Sequence, residues 1–521
     1  MSHQHTATRR KFLRTASVVS GSVGYAAAPF ALNLAGLGSA VAQTTDYKAI
    51  VCLFLYGGND SSHMVLRTDA LSFDEYTRLR SVAPESIALK APGTAIVAGA
   101  ALASPDRLGG VTPITPKFTV SPENNAYTYA LHPSMPEVAS LFAANRLAIL
   151  ASAGPLVQPL TRAEYLANSK PRPRALGSHN DQQSTWHALG PEGVKVGWGG
   201  HLGDLVASQN SNTVFTSISV SGNAVFSAGD TVFQYQVGTG GATQIGGLSG
   251  TLFGSTTAAA TLKGIVTGDN QHLFAKEYST IVKRSVDAQA AFQTAFVAST
   301  AVAPTQYIQP STGNAANNGL ATQLQTVARI IGARAGLGAK RQVFFVSMGG
   351  FDTHDGQNRN QADLLARLSH AIGYFDTALT SLGGVDMRNQ VTLFTASDFG
   401  RTLTSNGDGT DHGWGSHHFV SGGVVKGGEI YGKFPQFGLT ADGTANNSYL
   451  PVTSVDTLGA TLGKWFGATP SQLNLVFPNL PNFSAIWDFS SDRRRMRRLA
   501  ANLPTVTTDA GARCADGRAA R

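Results

Sequence analysis

Cysteine is almost missing: the 521 residues hold two, Cys52 in a predicted core strand and Cys514 near the end, so no disulfide framework is expected. Charge is scarce as well, at 14% of residues against roughly 25% in an average soluble protein, which excludes an acidic disordered chain or a coiled coil. No apolar run reaches the ~20 residues of a membrane-spanning helix, because Gly21, Gly24, Gly36 and Gly38 interrupt the stretch that comes nearest. Neither an internal repeat nor a duplicated lobe is visible, which argues against a solenoid or a hinged solute-binding protein. What is present is 42% hydrophobic residues and 57 glycines, enough for a large, loop-rich globular body with a sizeable core.

The net charge of +8 belongs to the two ends. Residues 1–42 carry Arg9, Arg10, Lys11 and Arg14 with no acid, and residues 492–521 carry eight Arg against Asp492, Asp509 and Asp516, leaving −1 for 43–491. A nucleic-acid partner for the folded body therefore loses its electrostatic support. Thr8-Arg9-Arg10-Lys11-Phe12-Leu13-Arg14, a weakly apolar stretch and the small-x-small site Ala40-Val41-Ala42 resemble a twin-arginine (Tat) export signal. The expectation is a signal over 1–42, a mature chain from Gln43 without a transmembrane span, a periplasmic or extracellular destination, and a basic disordered tail over 491–521.

Lys48 to Tyr56 is a continuous apolar run that ends at Gly57-Gly58-Asn59-Asp60, the pattern of a buried parallel strand opening into a polar loop. Arg341 to Met348 repeats the design and ends at Gly349-Gly350-Phe351-Asp352; Gln390 to Ser397 repeats it again and ends at Asp398. Shorter strands are expected at Leu147 to Ala151 and Val214 to Val220. Apolar residues at helical spacing precede the second long strand (Leu324, Val327, Ile330, Ile331) and separate it from the third (Leu364, Leu365, Leu368, Ala371, Ile372, Phe375, Leu379). Strand, acidic loop, amphipathic helix and strand predict an α/β domain over 43–490 with a mainly parallel central sheet flanked by helices. Residues 236–262 and 301–319 read as surface loops around a loop-rich insertion or cap at about 225–320.

Ligand sites in such sheets gather at the carboxyl ends of the strands, so Asp60, Asp352 and Asp398 should converge. Asp352 and His354, two apart in an extended loop, point to one side, within reach of one metal ion. His412, His417 and His418 fall in a Gly-rich loop, with His412 the candidate ligand and the adjacent pair in reserve. Arg401 is placed to clamp a phosphate-type oxyanion or to form a salt bridge. His132 and Ser134, between Leu131 and Pro136, read as a structural turn entering a helix.

The twin-arginine signal together with Phe-Leu-Tyr-Gly-Gly-Asn-Asp (54–60), Leu-His-Pro-Ser-Met-Pro (131–136), Ser-His-Asn-Asp-Gln-Gln-Ser-Thr-Trp (178–186), Gly-Gly-Phe-Asp-Thr-His (349–354), Ser-Asp-Phe-Gly-Arg-Thr (397–402) and Asp-His-Gly (411–413) resembles the bacterial domain-of-unknown-function family fifteen-oh-one. That family is similar to the alkaline phosphatase and sulfatase superfamily, which holds one or two metals between strand-end Asp and His residues. The resemblance implies an alkaline phosphatase-like fold and a divalent metal, zinc or manganese above all, on Asp60, Asp352, His354, Asp398 and His412. Its segment order puts Ser178, beside His179, first among candidate nucleophiles, ahead of Ser61 and Ser62; Ser178 also suits the cap of a helix running toward Trp186.

The chain departs from the superfamily in three respects. One residue separates Asp352 from His354 where the phosphatases have three, Phe399 follows Asp398 where they have His, and neither Cys52 nor Cys514 lies in the Cys/Ser-x-Pro-x-Arg setting of a sulfatase. The resulting expectation is a metal-dependent hydrolase of small anionic phosphate or related esters. The alternative is a non-catalytic envelope or assembly factor, a pseudoenzyme acting with a second exported protein, since the family often occurs beside one.

Overall fold

The computed structural model describes residues 47–248, 250–483 and 486–487; the expected export signal and the whole basic tail, Cys514 included, lie outside them. In chain order the central sheet comprises β1 (Lys48–Leu55), β2 (Leu147–Gly154), β3 (Ser217–Ser219), β4 (Tyr235–Gly238), β5 (Gly241–Ala242), β6 (Arg341–Met348), β7 (Val391–Ser397), β8 (Ser416–Ser421), β9 (Ile430–Tyr431) and β10 (Thr453–Ser454). Across the sheet they run β9-β2-β8-β7-β1-β6-β3-β4-β5, with β10 beside β2. The pairs from β7 through β1, β6 and β3 to β4 are parallel, whereas β8 is antiparallel to both β7 and β2. The mainly parallel α/β sheet expected from the sequence is what forms.

Alternation within β1 shows why its run is apolar throughout. Ala49, Val51, Leu53 and Leu55 enter one core, while Ile50, Cys52 and Phe54 enter the other, so both faces of the strand are buried. Among the described residues the helices of eight or more residues are α1 (Ala70–Arg80), α2 (Pro136–Ala143), α3 (His179–Ala188), α4 (Trp198–Val206), α5 (Thr256–Thr267), α6 (Leu273–Ala298), α7 (Gly319–Gly332), α8 (Gln357–Ala378) and α9 (Val455–Phe466). Side chains of α2, α7 and α8 fill the first core, those of α4 and α9 the second. Among the described residues no helix is long and apolar enough to cross a membrane.

Register aligns the functional end of the sheet. Leu55 lies beside Met348 and Ser397, so the three long strands finish level and their loops emerge side by side. Smaller expectations shift. Val214 sits in a 3-10 turn, its N–H bonded to Asn212 Oδ1, and leaves β3 at Ser217–Ser219. Part of the Thr/Ala-rich stretch read as surface loop is helical, because Ser255 caps α5 from residue 256 onward. Pro136 opens α2 after the turn at His132, whose Nδ1 accepts the Ser134 N–H at 3.1 Å.

Candidate metal centre

The loops after β1, β6 and β7 are pressed together, and glycine makes this possible. A Cβ on Gly57 (φ +113°) would stand 2.4 Å from the Asp352 nitrogen, and one on Gly58 (φ +79°) 2.4 Å from the Phe399 ring; both φ values disfavour any side chain. Arg401 ties the loops from within. Its buried guanidinium donates to the carbonyls of Gly57 at 2.5 Å, Gly58 at 2.7 Å, Phe351 at 3.1 Å and Thr410 at 3.1 Å, and to Asp352 Oδ1. With its remaining N–H 3.5 Å from His354 Nε2, the five donors are engaged inside the protein. Arg401 therefore does not stand as the oxyanion clamp expected of it, because its donors serve the scaffold.

Ser178 caps α3, its hydroxyl accepting the Asp181 N–H at 3.4 Å. The cap starts the helix at His179, and His179 and Gln183, four residues apart, share a face. Both reach Asp398 Oδ2, His179 Nδ1 at 2.6 Å and Gln183 Nε2 at 3.0 Å, where the Gly57 N–H also donates at 3.2 Å. The other carboxylate oxygen, Asp398 Oδ1, is buried and has no hydrogen-bond partner.

Asp352 lies beside this group. Its Oδ1 is 3.1 Å from His354 Nε2 and 3.2 Å from His412 Nε2; its Oδ2 is 3.5 Å from His179 Nε2. The two ring nitrogens of His354 and His412 face each other at 3.0 Å. Burial opposes ionisation of Asp352, but the Arg401 hydrogen bond and charge outweigh it and hold its carboxyl below the ordinary value.

The far side of each imidazole decides where its proton sits. His412 Nδ1 faces the Gly177 carbonyl at 2.8 Å, His354 Nδ1 faces Asp411 at 3.2 Å, and His179 Nδ1 faces Asp398. With the hydrogen on Nδ1, each neutral ring would offer its Nε2 lone pair. Three such lone pairs and the Asp352 carboxylate are turned toward one another. A cation among them fits the donor types, with His179, Asp352 and His412 as the set that would hold it. Ligand atoms of His179, Asp352 and His412 all lie within 4.8 Å of one another.

Asp60 is placed differently. It is buried in an ion pair with Arg80 and receives Gln357 Nε2 at 2.6 Å and the Ser62 N–H at 3.1 Å. Arg80 in turn donates to the carbonyls of Leu403 at 2.7 Å and Thr402 at 2.8 Å. Burial pushes the Asp60 carboxyl up, yet Arg80 and His63 together drive it far below the carboxylate range. Asp60 therefore does not stand with the open ligands, because a protein cation already neutralises it. Ser61 and Ser62 are buried in the short turn that Asp60 caps.

His417 and His418, held in reserve, are core residues of β8. His417 accepts the Ser152 N–H at 2.9 Å and stacks on Phe434, His418 meets the Trp186 edge, and burial pushes both down to about 3. Of the expected site residues, the structure brings together Asp352, His354, Asp398, His412 and His179, the last as a ligand candidate, pairs Asp60 with Arg80 instead, and gives Ser178 the helix cap between Gly177 and His179. Sequence reasoning missed Gln183, Asp411 and Arg80; only the four-residue spacing of His179 and Gln183 carried a signal.

These features define an α/β protein with a mainly parallel sheet and a His/Asp cluster at its strand ends. The chain belongs to the family described as "Protein of unknown function (DUF1501)", matched over residues 47–474. None of the curated proteins matches it. Similar solved structures are distant. A crystal structure of Ps i-CgsB is 9% identical with a TM-score of 0.28, covering 67% of this chain and 71% of that one. The same protein in complex with k-i-k-neocarrahexaose gives 9%, 0.30, 84% and 77%. A Bacteroides thetaiotaomicron protein from a locus for metabolism of multiple glycosaminoglycans gives 9%, 0.30, 81% and 73%.

Proposed function

We propose that this chain is an exported, metal-dependent hydrolase of small anionic esters, of phosphate or a related acid. The observation that supports it most is the cluster itself: the imidazoles of His179 and His412 around the exposed Asp352 carboxylate, with His354 beside them and the orphaned, buried Asp398 Oδ1. An orphaned carboxylate oxygen is costly unless something occupies it. His179, His412 and Asp352 would hold the ion, with His354 beside them and Asp398 at their inner edge; imidazole with carboxylate suits zinc or manganese better than calcium.

Such an ion supplies Lewis-acid polarisation of an ester oxygen and a more acidic bound water. The chain's own groups do the rest. Asp398 fixes the proton on His179 Nδ1, the Gly177 carbonyl fixes that of His412, and Asp411 fixes that of His354, so each ring presents its lone pair. Arg401 keeps the three loops in contact and offsets the charge of Asp352, so that a divalent ion would neutralise what Asp398 and Asp411 leave. The twin-arginine pattern at 8–14 supports export to the periplasm or beyond.

One observation favours the second reading, a non-catalytic envelope factor or pseudoenzyme working with another exported protein. Arg401, the residue expected to clamp an oxyanion, has its donors engaged by backbone carbonyls, Asp352 and His354. Metal content by mass spectrometry of the wild type and a His179→Ala/His412→Ala variant, followed by 4-nitrophenyl phosphate and sulfate turnover, separates the two. About one bound ion and a hydrolysis rate that vanish together in the variant support the hydrolase. Bound metal without turnover supports the second reading. No metal after reloading with zinc and manganese sinks the metal centre.

A further inference from the structure

The insertion carries an apolar stripe that the molecule covers only along half its length. α6 runs 26 residues, about 39 Å at 1.5 Å per residue. Phe274, Tyr278 and Ile281 recur at four and three residues, and the same face continues through Ala288 and Phe292 to Phe296. At the C-terminal half that face is core: Phe292 and Phe296 are 0% and 1% exposed and pack with each other, Phe292 also against Phe215 and Tyr235. At the N-terminal half it lies open, with Phe274 78%, Tyr278 61% and Ile281 52% exposed. α5 packs on α6 without covering these positions. Leu273 and, on α5, Ile265 are exposed as well.

We infer that this arm is a self-association surface, on which two copies pair their α6 helices antiparallel and, with the two α5 helices, complete a four-helix bundle. Charge selects the partner. Glu277 and Arg284 are seven residues apart and so occupy the same flank of the stripe, yet they have opposite signs. In an antiparallel pair centred between Thr280 and Ile281, each Glu277 lies level with the other copy's Arg284. The neighbouring charges are already paired, Lys276 with Asp269 and Lys283 with Asp287, whereas Glu277 and Arg284 have no ion-pair partner among the described residues. A two-helix arm has no layer to bury an outer stripe, and a second copy supplies one. The five exposed side chains present on the order of 600 Å² per copy, which takes a pair past the ~1,000 Å² of a specific interface.

Sedimentation velocity of the full exported chain, over about 1–50 µM, tests this. Wild type is expected to be a dimer, and Ile281→Glu a monomer with unchanged circular dichroism, since the position is exposed. Glu277→Arg alone should raise the dimer dissociation constant about ten-fold, the equivalent of about 1.4 kcal/mol, and Glu277→Arg/Arg284→Glu should restore it. A wild-type monomer throughout, a dimer indifferent to these changes, or a monomer that binds anionic lipid vesicles through the arm overturns the inference. None of these residues touches the His/Asp cluster, so the result stands whatever the metal analysis shows.

Discussion

Asp60 and Asp398 follow neighbouring strands that end level, and both are 0% exposed, yet the molecule treats them in opposite ways. Around Asp60 the fold brings its own cation: Arg80 from α1, with Gln357 and the Ser62 N–H completing the carboxylate. Around Asp398 it brings the His179 imidazole, an amide and a backbone N–H to one oxygen and leaves the other bare. A buried carboxylate needs a positive partner. At Asp60 that partner is built in; at Asp398 its place is open to one from outside. An Asp at the end of a buried strand is thus a place for charge, and the residue opposite decides whether the charge is structural or functional.

The largest expected effect separates the two directly. Arg80→Leu strips Asp60 of its cation and should cost about 3–5 kcal/mol, the range for breaking a buried pair by removing one partner. Asp398→Asn keeps an acceptor for Gly57 and Gln183 and should cost under about 1 kcal/mol in metal-free protein, while removing bound metal and any ester hydrolysis. Urea unfolding of both variants in chelator measures the contrast. Equal losses would break it.

Acid sharpens the comparison by a smaller amount. Because Arg80 holds the folded Asp60 pKa far below its unfolded value, the pair contributes its full stability above the unfolded pKa of about 3.9, and the contribution falls away as pH drops toward the folded value. In Arg80→Leu the sign reverses, since an unpaired buried carboxyl prefers to be protonated and loses stability as pH rises. The melting-temperature gap between wild type and Arg80→Leu should therefore be widest above about pH 5 and narrow below about pH 4. A gap that stays constant across that range would show that packing, not charge, accounts for the loss.

The strands were legible because burial on both faces writes an uninterrupted apolar run; the rule that sites form at strand ends pointed to Asp60, Asp352 and Asp398, and the Asp-x-His spacing and the Gly-rich loop added His354 and His412, both of which lie beside Asp352. The closure of Asp60 was not legible, since Arg80 lies on a helix with nothing local to aim it at a strand end. In sequence Arg401 suits an oxyanion clamp or a salt bridge; it forms the salt bridge, to Asp352, and the backbone carbonyls it also binds come from a tertiary approach of Gly57, Gly58 and Phe351 that no local pattern records. His179 and Gln183 did carry a helical spacing, masked by reading Ser178-His179 as loop. α5 was hidden because Thr, Ala and Gly at low periodicity look like loop until the Ser255 cap and the long neighbouring helix are in place.

Ser178 is the smallest effect and the one that decides the nucleophile. Its hydroxyl holds the first turn of α3, the helix that delivers His179 and Gln183 to Asp398. Ser178→Ala should cost about 1 kcal/mol, as N-cap losses do, and Ser178→Asp, a good cap without a nucleophilic hydroxyl, should return most of it. If the hydroxyl only caps, ester turnover follows stability, reduced slightly in the Ala variant and recovered in the Asp variant at saturating metal. If it attacks the ester, turnover disappears in both while folding recovers in one, a split no capping role can give. Because the hydroxyl accepts the Asp181 N–H as the cap, the first outcome is expected, which would leave water as the nucleophile and keep α3 a positioning element.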